Sequence, residues 1–227
     1  DLHLKDVSFE LSRGEKIAVV GFSGSGKTTF FKIIRDLYHP QSITLLQDGN
    51  LIPEGFAGIC RAISLMPQKP EIFKTTILQN ITLGVEYSQQ LVRTYADMAC
   101  FTPVALALPN GFESSIKEKG VNLSGGEQQR LALSRGLLAS HDKEIVLLDE
   151  PTSSLDVSNE VEVYRNVFEA FRDKTVVSSI HRLQLLPLFD RVIVFDKGTI
   201  VGTGTVPELM SNCPQFVALW KKQFVDV

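Results

Sequence analysis

One segment constrains the fold of this chain more than any other: residues 21–28, GFSGSGKT, fit the pattern G-x-x-x-x-G-K-[ST]. The apolar residues 16–20 before it predict a buried strand, and residues 26–38 after it predict a helix. Glycines in such a turn let backbone N–H groups point toward an anion, and the helix N-terminus adds a partial positive charge. The segment therefore predicts a loop that binds phosphate groups.

Two side chains at the end of this loop extend the prediction to a nucleotide. Lys27 is long enough to reach the β and γ phosphates of ATP, and the Thr28 hydroxyl is a suitable ligand for Mg²⁺. We therefore predict ATP and Mg²⁺ as the ligands of this site. The residues expected to contact the nucleotide are Gly21, Ser23, Gly24, Ser25, Gly26, Lys27, Thr28 and Thr29.

A second pattern places two acidic residues directly after the apolar residues 145–148. Ligands of α/β proteins bind at the C-terminal edge of a parallel sheet, where Asp149 and Glu150 would lie. Asp149 is suited there to hold Mg²⁺, directly or through water, and Glu150 to polarise the attacking water. Two acids at a strand end are weak support by themselves, but with a phosphate loop in the same chain they predict a catalytic site.

Gln68 and His181 each follow a further predicted strand. The amide of Gln68 could bind the metal or the water, although an isolated glutamine proves nothing. A lone histidine is more often a structural residue than a catalytic one. Because His181 lies just beyond a strand of the same sheet, we predict that it contacts the γ-phosphate.

The remaining pattern alternates strands with helices, which implies an α/β fold with a mainly parallel sheet covered on both faces. Residues 69–140 differ, because they are predicted to be helical and so form an insertion. A hairpin turn at residues 196–198 adds an antiparallel part. The predicted strands are residues 16–20, 43–46, 62–65, 145–148, 175–178, 191–195 and 199–201, with a turn at 48–49, and the predicted helices after the first are residues 77–83, 89–100, 126–139 and 214–224.

Composition excludes several other classes of protein. A net charge of −3 argues against a basic nucleic-acid-binding domain, which needs clustered Lys and Arg. The cysteines, Cys60, Cys100 and Cys213, form no C-x-x-C pair, so a structural zinc site is not expected. No apolar run reaches the roughly 20 residues that span a bilayer, so we expect a polypeptide that is soluble by itself. The start at Asp1 instead of Met predicts a fragment whose missing neighbours could include membrane segments.

Residues 123–130, LSGGEQQR, resemble the signature motif of ATP-binding-cassette (ABC) ATPases, LSGGQ followed by QR. Glu127 stands where the commoner residue is Gln. The other motifs follow in the order of that family and cover essentially the whole chain. Residues 21–28 resemble Walker A, Gln68 the Q-loop glutamine, residues 145–149 Walker B with Glu150 as its catalytic glutamate, residues 153–156 the D-loop, and His181 the switch histidine.

The resemblance implies the ABC ATPase fold and a dimer. The fold would have a RecA-like ATP-binding core, residues 1–68 and 141–227, with an antiparallel β portion and an inserted helical subdomain, residues 69–140. In a head-to-tail dimer with a second copy or a homologue, each ATP lies between the Walker motifs of one subunit and the signature of the other. The residues that would contact the partner's nucleotide are Ser124, Gly125, Gly126, Glu127 and Asp156.

Two stretches resemble exporter-type members of the family. Residues 118–120, EKG, are similar to the x-loop of exporters, and residues 67–73 and 76–81 also resemble them. In that subclass the latter surface receives the coupling helices of a transmembrane domain, so that Ile72 and Phe73 would be either contacts or ordinary core residues. The resemblance thus implies ATP hydrolysis that powers an exporter at the cytoplasmic face of a membrane, the inner membrane if bacterial, with no nucleic acid partner and with membrane contact only through the transmembrane domain.

Two alternatives and one departure accompany this interpretation. A soluble ABC ATPase of DNA repair or translation would carry long insertions or a second cassette, and the sequence has neither. A non-hydrolysing regulatory cassette is disfavoured because Lys27, Asp149, Glu150 and His181 are all present. Exporter cassettes also carry an aromatic residue that stacks on adenine, on a strand before the one that residues 2–9 resemble. We expect that residue to be missing with a truncated N-terminal strand, and Phe9 is not assigned its role.

Overall fold

The computed structural model describes residues 4–68, 71–116 and 123–224. The strands within these residues are β1 (Lys16–Gly21), β2 (Leu46–Gln47), β3 (Asn50–Leu51), β4 (Ile63–Met66), β5 (Ile145–Asp149), β6 (Thr175–Ser179), β7 (Arg191–Asp196) and β8 (Thr199–Gly204). The α-helices within them are α1 (Lys27–Ile34), α2 (Phe56–Ile59), α3 (Ile77–Thr82), α4 (Gln89–Met98), α5 (Thr102–Ala107), α6 (Gly125–Ala139), α7 (Val157–Ala170), α8 (Val206–Asn212) and α9 (Pro214–Phe224).

The main sheet has the strand order β4-β5-β6-β1-β7-β8. Strand β1 pairs in parallel with both β6 and β7, and β5 pairs in parallel with β6. Strand β8 returns antiparallel to β7 after a turn in which Lys197 and Gly198 both have positive φ. Every residue of β1 and of β6 is buried, as expected of strands covered on both faces. The predicted α/β fold class, mainly parallel with an antiparallel portion, is therefore confirmed.

The first compact unit comprises residues 1–65, 143–150 and 173–227 and contains this sheet up to residue 65. Its core forms where α1 packs over the sheet. The ring centroids of Phe30 and Phe195 lie 5.0 Å apart, and Phe9 meets Phe30 edge-on at 4.7 Å. The fully buried members of this core include Ile17, Val19, Phe31, Ile34, Ile63, Leu147, Val177 and Ile193. Burying Phe30 beneath the helix fixes the start of α1, and with it the end of the phosphate loop, against β1.

The second compact unit comprises residues 66–142 and 151–172. It is helical: α6 packs against α3 and α4, and α4 packs against α7. Tyr95 on α4 lies near Phe171 (centroids 6.3 Å apart), and its hydroxyl is 2.8 Å from Nδ1 of His141. The division predicted from the sequence, residues 1–68 with 141–227 against 69–140, stays a prediction.

Helix α1 is shorter than predicted, because it ends at Ile34 and not near residue 38. Asp36 adopts the left-handed conformation, with φ of 61°. The N–H of Asp36 donates to the Ile33 carbonyl, and the N–H of Leu37 donates to the Lys32 carbonyl. This pair of bonds is a Schellman motif, in which an aspartate takes the position that glycine usually holds.

Other predicted elements also change at their ends. The predicted strand at residues 43–46 is reduced to β2, which pairs with β3 through Asp48 and Gly49, both of positive φ as a type I′ turn requires. Helix α4 ends at Met98 and not at residue 100. Helices α2, α5, α7 and α8 were not predicted, although Asp156 caps α7 and a Thr205–Glu208 capping box opens α8. Among the described helices, none is both long and apolar enough to cross a membrane.

Candidate active site

The phosphate loop turns tightly between β1 and α1. A Cβ atom on Gly21 would stand 2.4 Å from the carbonyl oxygen of Phe195, so only glycine fits there. Gly24 has φ of 78°, which other residues rarely adopt. The Ser25 N–H donates to the Phe22 carbonyl (3.1 Å), and the Gly198 N–H donates to the Ser25 carbonyl (2.9 Å). The β7–β8 turn therefore holds the loop in place.

Ser25 is the feature of the loop that fits an anion most directly. Its side chain is buried, and its hydroxyl oxygen has no hydrogen-bond partner within the described structure. A buried hydroxyl without a partner costs free energy unless something else satisfies it. A phosphate oxygen, which accepts hydrogen bonds strongly, would do so here.

Lys27, the first residue of α1, is buried, with 6% of its surface exposed. Its ammonium group donates to the carbonyl oxygens of Gly21 (2.9 Å) and Phe22 (3.3 Å). Burial lowers the pKa of Lys27, and the negative charges of Glu150 and Asp149 oppose that shift. The lysine thus lies inside the loop, close to two carboxylates.

Asp149 ends β5 and receives hydrogen bonds on both carboxylate oxygens. The hydroxyl of Thr28 donates to Oδ2 (2.8 Å), and the hydroxyl of Ser179 donates to Oδ1 (2.7 Å). The Ser179 oxygen in turn accepts the backbone N–H of Glu150 at 2.9 Å. Ser179 lies opposite Asp149 in the β5–β6 register, so sheet pairing alone places it there. The sequence did not indicate this serine.

Glu150 and His181 meet directly. Nε2 of His181 lies 2.5 Å from Oε1 of Glu150, whose side chain is 9% exposed against 49% for the histidine. Glu150 has φ of 51°, an uncommon conformation for a residue with a Cβ, and such residues concentrate at functional sites. The structure therefore joins a predicted water-polarising residue to a predicted γ-phosphate contact.

The oxygen atoms at Thr28 and Asp149 fit Mg²⁺ of the kind bound with a nucleotide. No cluster of three or more His, Cys, Asp or Glu residues that could hold a metal occurs in the described part of the chain. Mg²⁺ in nucleotide sites usually takes one or two protein oxygens and completes its shell with water and phosphate. Thr28 and Asp149, joined by a hydrogen bond, suit that mode and do not suit a cage made wholly of protein.

The signature residues open α6 through a capping box. Ser124 is the N-cap, and its hydroxyl accepts the Glu127 N–H at 3.3 Å. Oε2 of Glu127 accepts the backbone N–H of Ser124 (2.7 Å) and its hydroxyl (2.8 Å). These two hydrogen bonds lower the pKa of Glu127, and the bond from the Ser124 backbone has the larger effect. A glutamate serves this capping box as well as a glutamine would, which accounts for Glu127 in physical terms.

Gln129 on α6 is a further residue that the sequence did not single out. It is buried, and its amide donates to the Ser153 hydroxyl (3.1 Å) and accepts the Ser154 N–H (2.6 Å). A Cβ atom on Gly126 would lie 3.2 Å from the Ser154 carbonyl oxygen. The start of α6 and the segment before α7 are therefore held together closely.

Asp156 ends that segment as the N-cap of α7 and is exposed. Its carboxylate accepts the Asn159 backbone N–H (3.0 Å) and the Ser158 hydroxyl (2.6 Å). These bonds and that of the Asn159 amide hold the pKa of Asp156 well below its usual range. Asp156 therefore has a structural role as the N-cap of α7. The predicted contact with a nucleotide would be a second role.

The predicted site residues thus fall into two groups. One group lies in the first unit and converges at the ends of β1, β5 and β6: residues 21–29 with Asp149, Glu150 and His181. The other lies in the second unit: Gln68, which is exposed two residues after β4, and Ser124, Gly125, Gly126, Glu127 and Asp156. The predicted x-loop, residues 118–120, is outside the described residues.

The sequence left Phe73 as either a contact for coupling helices or an ordinary core residue, and the structure shows that it is not a core residue. Its side chain is 43% exposed, and the guanidinium of Arg135 lies over its ring at 4.8 Å. The buried side chain of Asn80 accepts the Phe73 N–H and donates to the Phe73 carbonyl, both at 2.9 Å. Ile72 is half-buried. The backbone that presents Phe73 to solvent is thus firmly held.

Comparison with known proteins agrees with this geometry. Residues 4–153 match the family model described as "ABC transporter". The chain is 37% identical over 218 residues to the glutathione/L-cysteine transport system ATP-binding/permease protein CydD of Bacillus subtilis, covering 96% of this chain and 38% of that protein. It is 34% identical over 211 residues to the mitochondrial iron-sulfur clusters transporter ABCB7 of Homo sapiens, covering 92% and 28%.

A solved structure gives the same result for the fold. A bacterial Atm1-family ABC exporter with ATP bound superposes with a TM-score of 0.87 at 30% identity, covering 98% of this chain and 39% of the exporter chain. The chain therefore spans less than half the length of each of these proteins. Together with the geometry of the phosphate loop and of the start of α6, these similarities show that the chain belongs to the ABC transporter family.

Proposed function

We propose that this chain hydrolyses ATP and thereby powers a membrane exporter. The observation that carries the proposal is the contact between Glu150 and His181 beside the phosphate loop, because it joins a buried carboxylate to an imidazole where the γ-phosphate of ATP would lie. The relatives support the transport part, since each of those named above is called a transporter, a permease or an exporter.

The proposed reaction assigns a step to each residue. Lys27 and the backbone N–H groups of the loop bind the phosphates. Glu150 accepts a proton from the attacking water while the water oxygen bonds to the γ-phosphorus. The bond from that phosphorus to the bridging oxygen breaks, which gives ADP and phosphate. His181 holds Glu150 and contacts the γ-phosphate. Mg²⁺, held by Thr28 and Asp149, would neutralise charge on the phosphates when bound.

The dimer in this proposal completes the site. Phosphoryl transfer is catalysed mostly by positioning and charge stabilisation, so donors must surround the γ-phosphate. The start of α6, with Ser124, Gly125 and Gly126, presents exposed or half-exposed helix N-terminal groups of the kind that bind phosphate. In a head-to-tail dimer these groups, with Glu127 and Asp156, would contact the partner's nucleotide. ATP would then favour the closed dimer, and hydrolysis would release it.

The remaining partner is a transmembrane domain. Its coupling helices would dock on the surface that carries Phe73, where the exposed ring is held by Arg135 and Asn80. We therefore propose that the chain lies at the cytoplasmic face of a membrane, the inner membrane if bacterial. We propose no nucleic acid partner. Membrane contact would occur only through the transmembrane domain.

The substitution Glu150→Gln tests the proposal. It removes the proton acceptor but keeps the size of the side chain, so we expect ATP binding to persist, turnover to fall by about 10³-fold, and an ATP-bound dimer to accumulate. Steady-state ATPase assays and size-exclusion chromatography with ATP measure these effects. Glu144→Gln is the matched control, because Glu144 is exposed and directly precedes β5. Wild-type turnover in Glu150→Gln would contradict the assignment.

A further inference from the structure

The last turn of α9 contacts the backbone immediately after His181. The side-chain amide of Gln223 donates to the carbonyl oxygen of His181 at 2.9 Å. Its carbonyl oxygen accepts the N–H of Leu183 at 2.6 Å. One side chain thus bridges two peptide groups of the histidine segment, defined here as residues 181–183.

The Leu183 N–H needs such a partner. Leu183 is the first residue of a 3₁₀ turn, Leu183–Leu188, and the first N–H groups of a helix have no partner within it. Arg182, at the N-cap position, makes no capping hydrogen bond with its side chain. Gln223 supplies this missing acceptor from a helix that lies 40 residues later in the chain.

Helix α9 is anchored well enough to serve as a support. Phe216, near its start, is fully buried, and the rings of Phe216, Trp220 and Phe224 follow one another along the helix at centroid distances of 6.0 and 4.6 Å. In the same last turn, the Lys222 ammonium lies 5.5 Å from the ring centroid of Phe22 in the phosphate loop. The end of α9 therefore contacts both the loop and the histidine segment.

The imidazole itself depends on its backbone for its position. The His181 side chain is 49% exposed, so side-chain packing fixes it only in part. The contact of its Nε2 with Glu150 therefore requires the peptide groups of the histidine segment to stay in place. Upstream, β6 fixes them through the bond from the Ile180 N–H to the Val19 carbonyl (3.1 Å), and downstream Gln223 does so.

We propose that Gln223 is a positioning residue for catalysis, which orients the His181 imidazole toward Glu150 by clamping the two peptide groups that follow it. The inference rests on the proposed function, in which His181 takes part in ATP hydrolysis. Gln223 does not touch the reacting atoms. Its effect is on geometry, and a displacement of about 1 Å at such a site can lower a rate by up to 10²-fold.

The first test uses the nucleotide-free protein and NMR. Gln223→Met keeps the length of the side chain and removes both hydrogen bonds, so the Leu183 amide should exchange with solvent about tenfold faster. The ¹⁵N shift of His181 Nε2 should change on Glu150→Gln in the wild-type background and hardly change in the Gln223→Met background. A full response of this shift in both backgrounds would overturn the proposal.

The second test separates binding from turnover. We expect Gln223→Met to lower kcat about tenfold while leaving the Kd for ATP and the thermal unfolding midpoint near those of the wild type. Gln223→Glu keeps the acceptor for Leu183 but replaces the donor to His181, so its kcat should be intermediate. Lys221→Met, an exposed position in the same turn, is the control and should behave as the wild type. Equal kcat in Gln223→Met and Lys221→Met would overturn the proposal.

The two proposals can fail separately. If Glu150→Gln hydrolyses ATP normally, the proposed function fails whatever Gln223 does. If Glu150→Gln stops turnover but Gln223→Met changes neither kcat nor the response of the His181 shift, only the role of Gln223 is wrong. If Gln223→Met lowers the unfolding midpoint and kcat together and Gln223→Glu restores neither, Gln223 is structural and the positioning role is overturned.

Discussion

Thr28 and Asp149 lie 121 residues apart in the chain, and the Thr28 hydroxyl donates a 2.8 Å hydrogen bond to Oδ2 of Asp149. One is the second residue of the helix after the phosphate loop and the other ends β5. Both oxygens are of the type that Mg²⁺ prefers, and neither residue alone could bind the ion firmly. Their contact gives the metal part of the proposed site a specific test.

Thr28→Val should weaken binding of Mg-ATP by about tenfold while changing the affinity for metal-free ATP little, because it removes one oxygen ligand and keeps the side-chain shape. Isothermal titration with ATP in Mg²⁺ and in EDTA measures the difference. Thr28→Ser, which keeps the hydroxyl, should bind like the wild type in both conditions. An equal loss of affinity with and without Mg²⁺ would show that Thr28 is not a metal ligand.

Lys27→Ala should raise the Kd for ATP by about 10²-fold, because a buried charged contact to phosphate is lost. Calorimetric titration with Mg-ATP provides the measurement. Lys32→Ala lies on the same helix, where Lys32 contacts Tyr38 at the surface, and should leave the Kd unchanged. Unaltered affinity in Lys27→Ala would mean that the phosphate loop is not the nucleotide site.

Ser124→Arg should leave the fold and ATP binding of a single subunit largely intact and should block dimerisation and hydrolysis. The arginine adds bulk at the N-cap of α6, where we propose that helix N–H groups approach the partner's phosphate. Its positive charge attracts phosphate, so the steric effect must dominate. Losing the cap costs only about 1 kcal/mol of stability. ATPase rates measured over a range of protein concentrations test this.

Mixing Ser124→Arg with Lys27→Ala gives a sharper test of the dimer. In a head-to-tail dimer of the two variants, one composite site carries both defects and the other carries neither. Partial ATPase activity should therefore return in the mixture if one intact site is sufficient. Normal hydrolysis by Ser124→Arg alone, at every concentration, would exclude the proposed role of Ser124 across the dimer.

The environment of Glu15 predicts how the stability of the fold depends on pH. Its partial burial raises its pKa, but hydrogen bonds from Arg191 (2.6 and 2.9 Å) and from the Ser12 N–H (3.1 Å) outweigh this and lower it below the ordinary value of a glutamate. A lowered pKa in the folded state stabilises the fold above the ordinary pKa of a glutamate, and this contribution is lost as pH falls through the folded-state value.

Glu15→Gln should therefore lower the free energy of unfolding by about 2 kcal/mol at pH 7 and by much less near pH 3. Urea unfolding at the two pH values measures both. Glu169→Gln is the control, because its ion pair with Arg172 is exposed on both sides and contributes little. An equal loss at both pH values would contradict the pKa shift of Glu15.

Elements with strong local patterns were predictable, and their ends were less so. Strand β1 and the start of α1 followed from an apolar run and a glycine-rich turn, and α9 was predicted with its observed bounds. The predicted end of α1 was wrong because Asp36 adopts a left-handed conformation, which an aspartate favours only weakly. Helix α7 was missed although Asp156 is a good N-cap, since its buried face, with Val163, Tyr164 and Val167, is short.

The sequence by itself determined which reactive groups the chain carries: the lysine and threonine of the loop, the two acids after β5, the histidine after β6 and the capped signature. The tertiary structure decided which of them meet. Sheet order places β6 between β5 and β1, so that Asp149 pairs with Ser179 and Glu150 reaches His181. Gln223 looks like any polar residue of a surface helix until α9 packs beside the histidine segment. Residue type is a local property, whereas hydrogen-bond distances depend on strand register and helix packing, which long-range burial of apolar side chains sets.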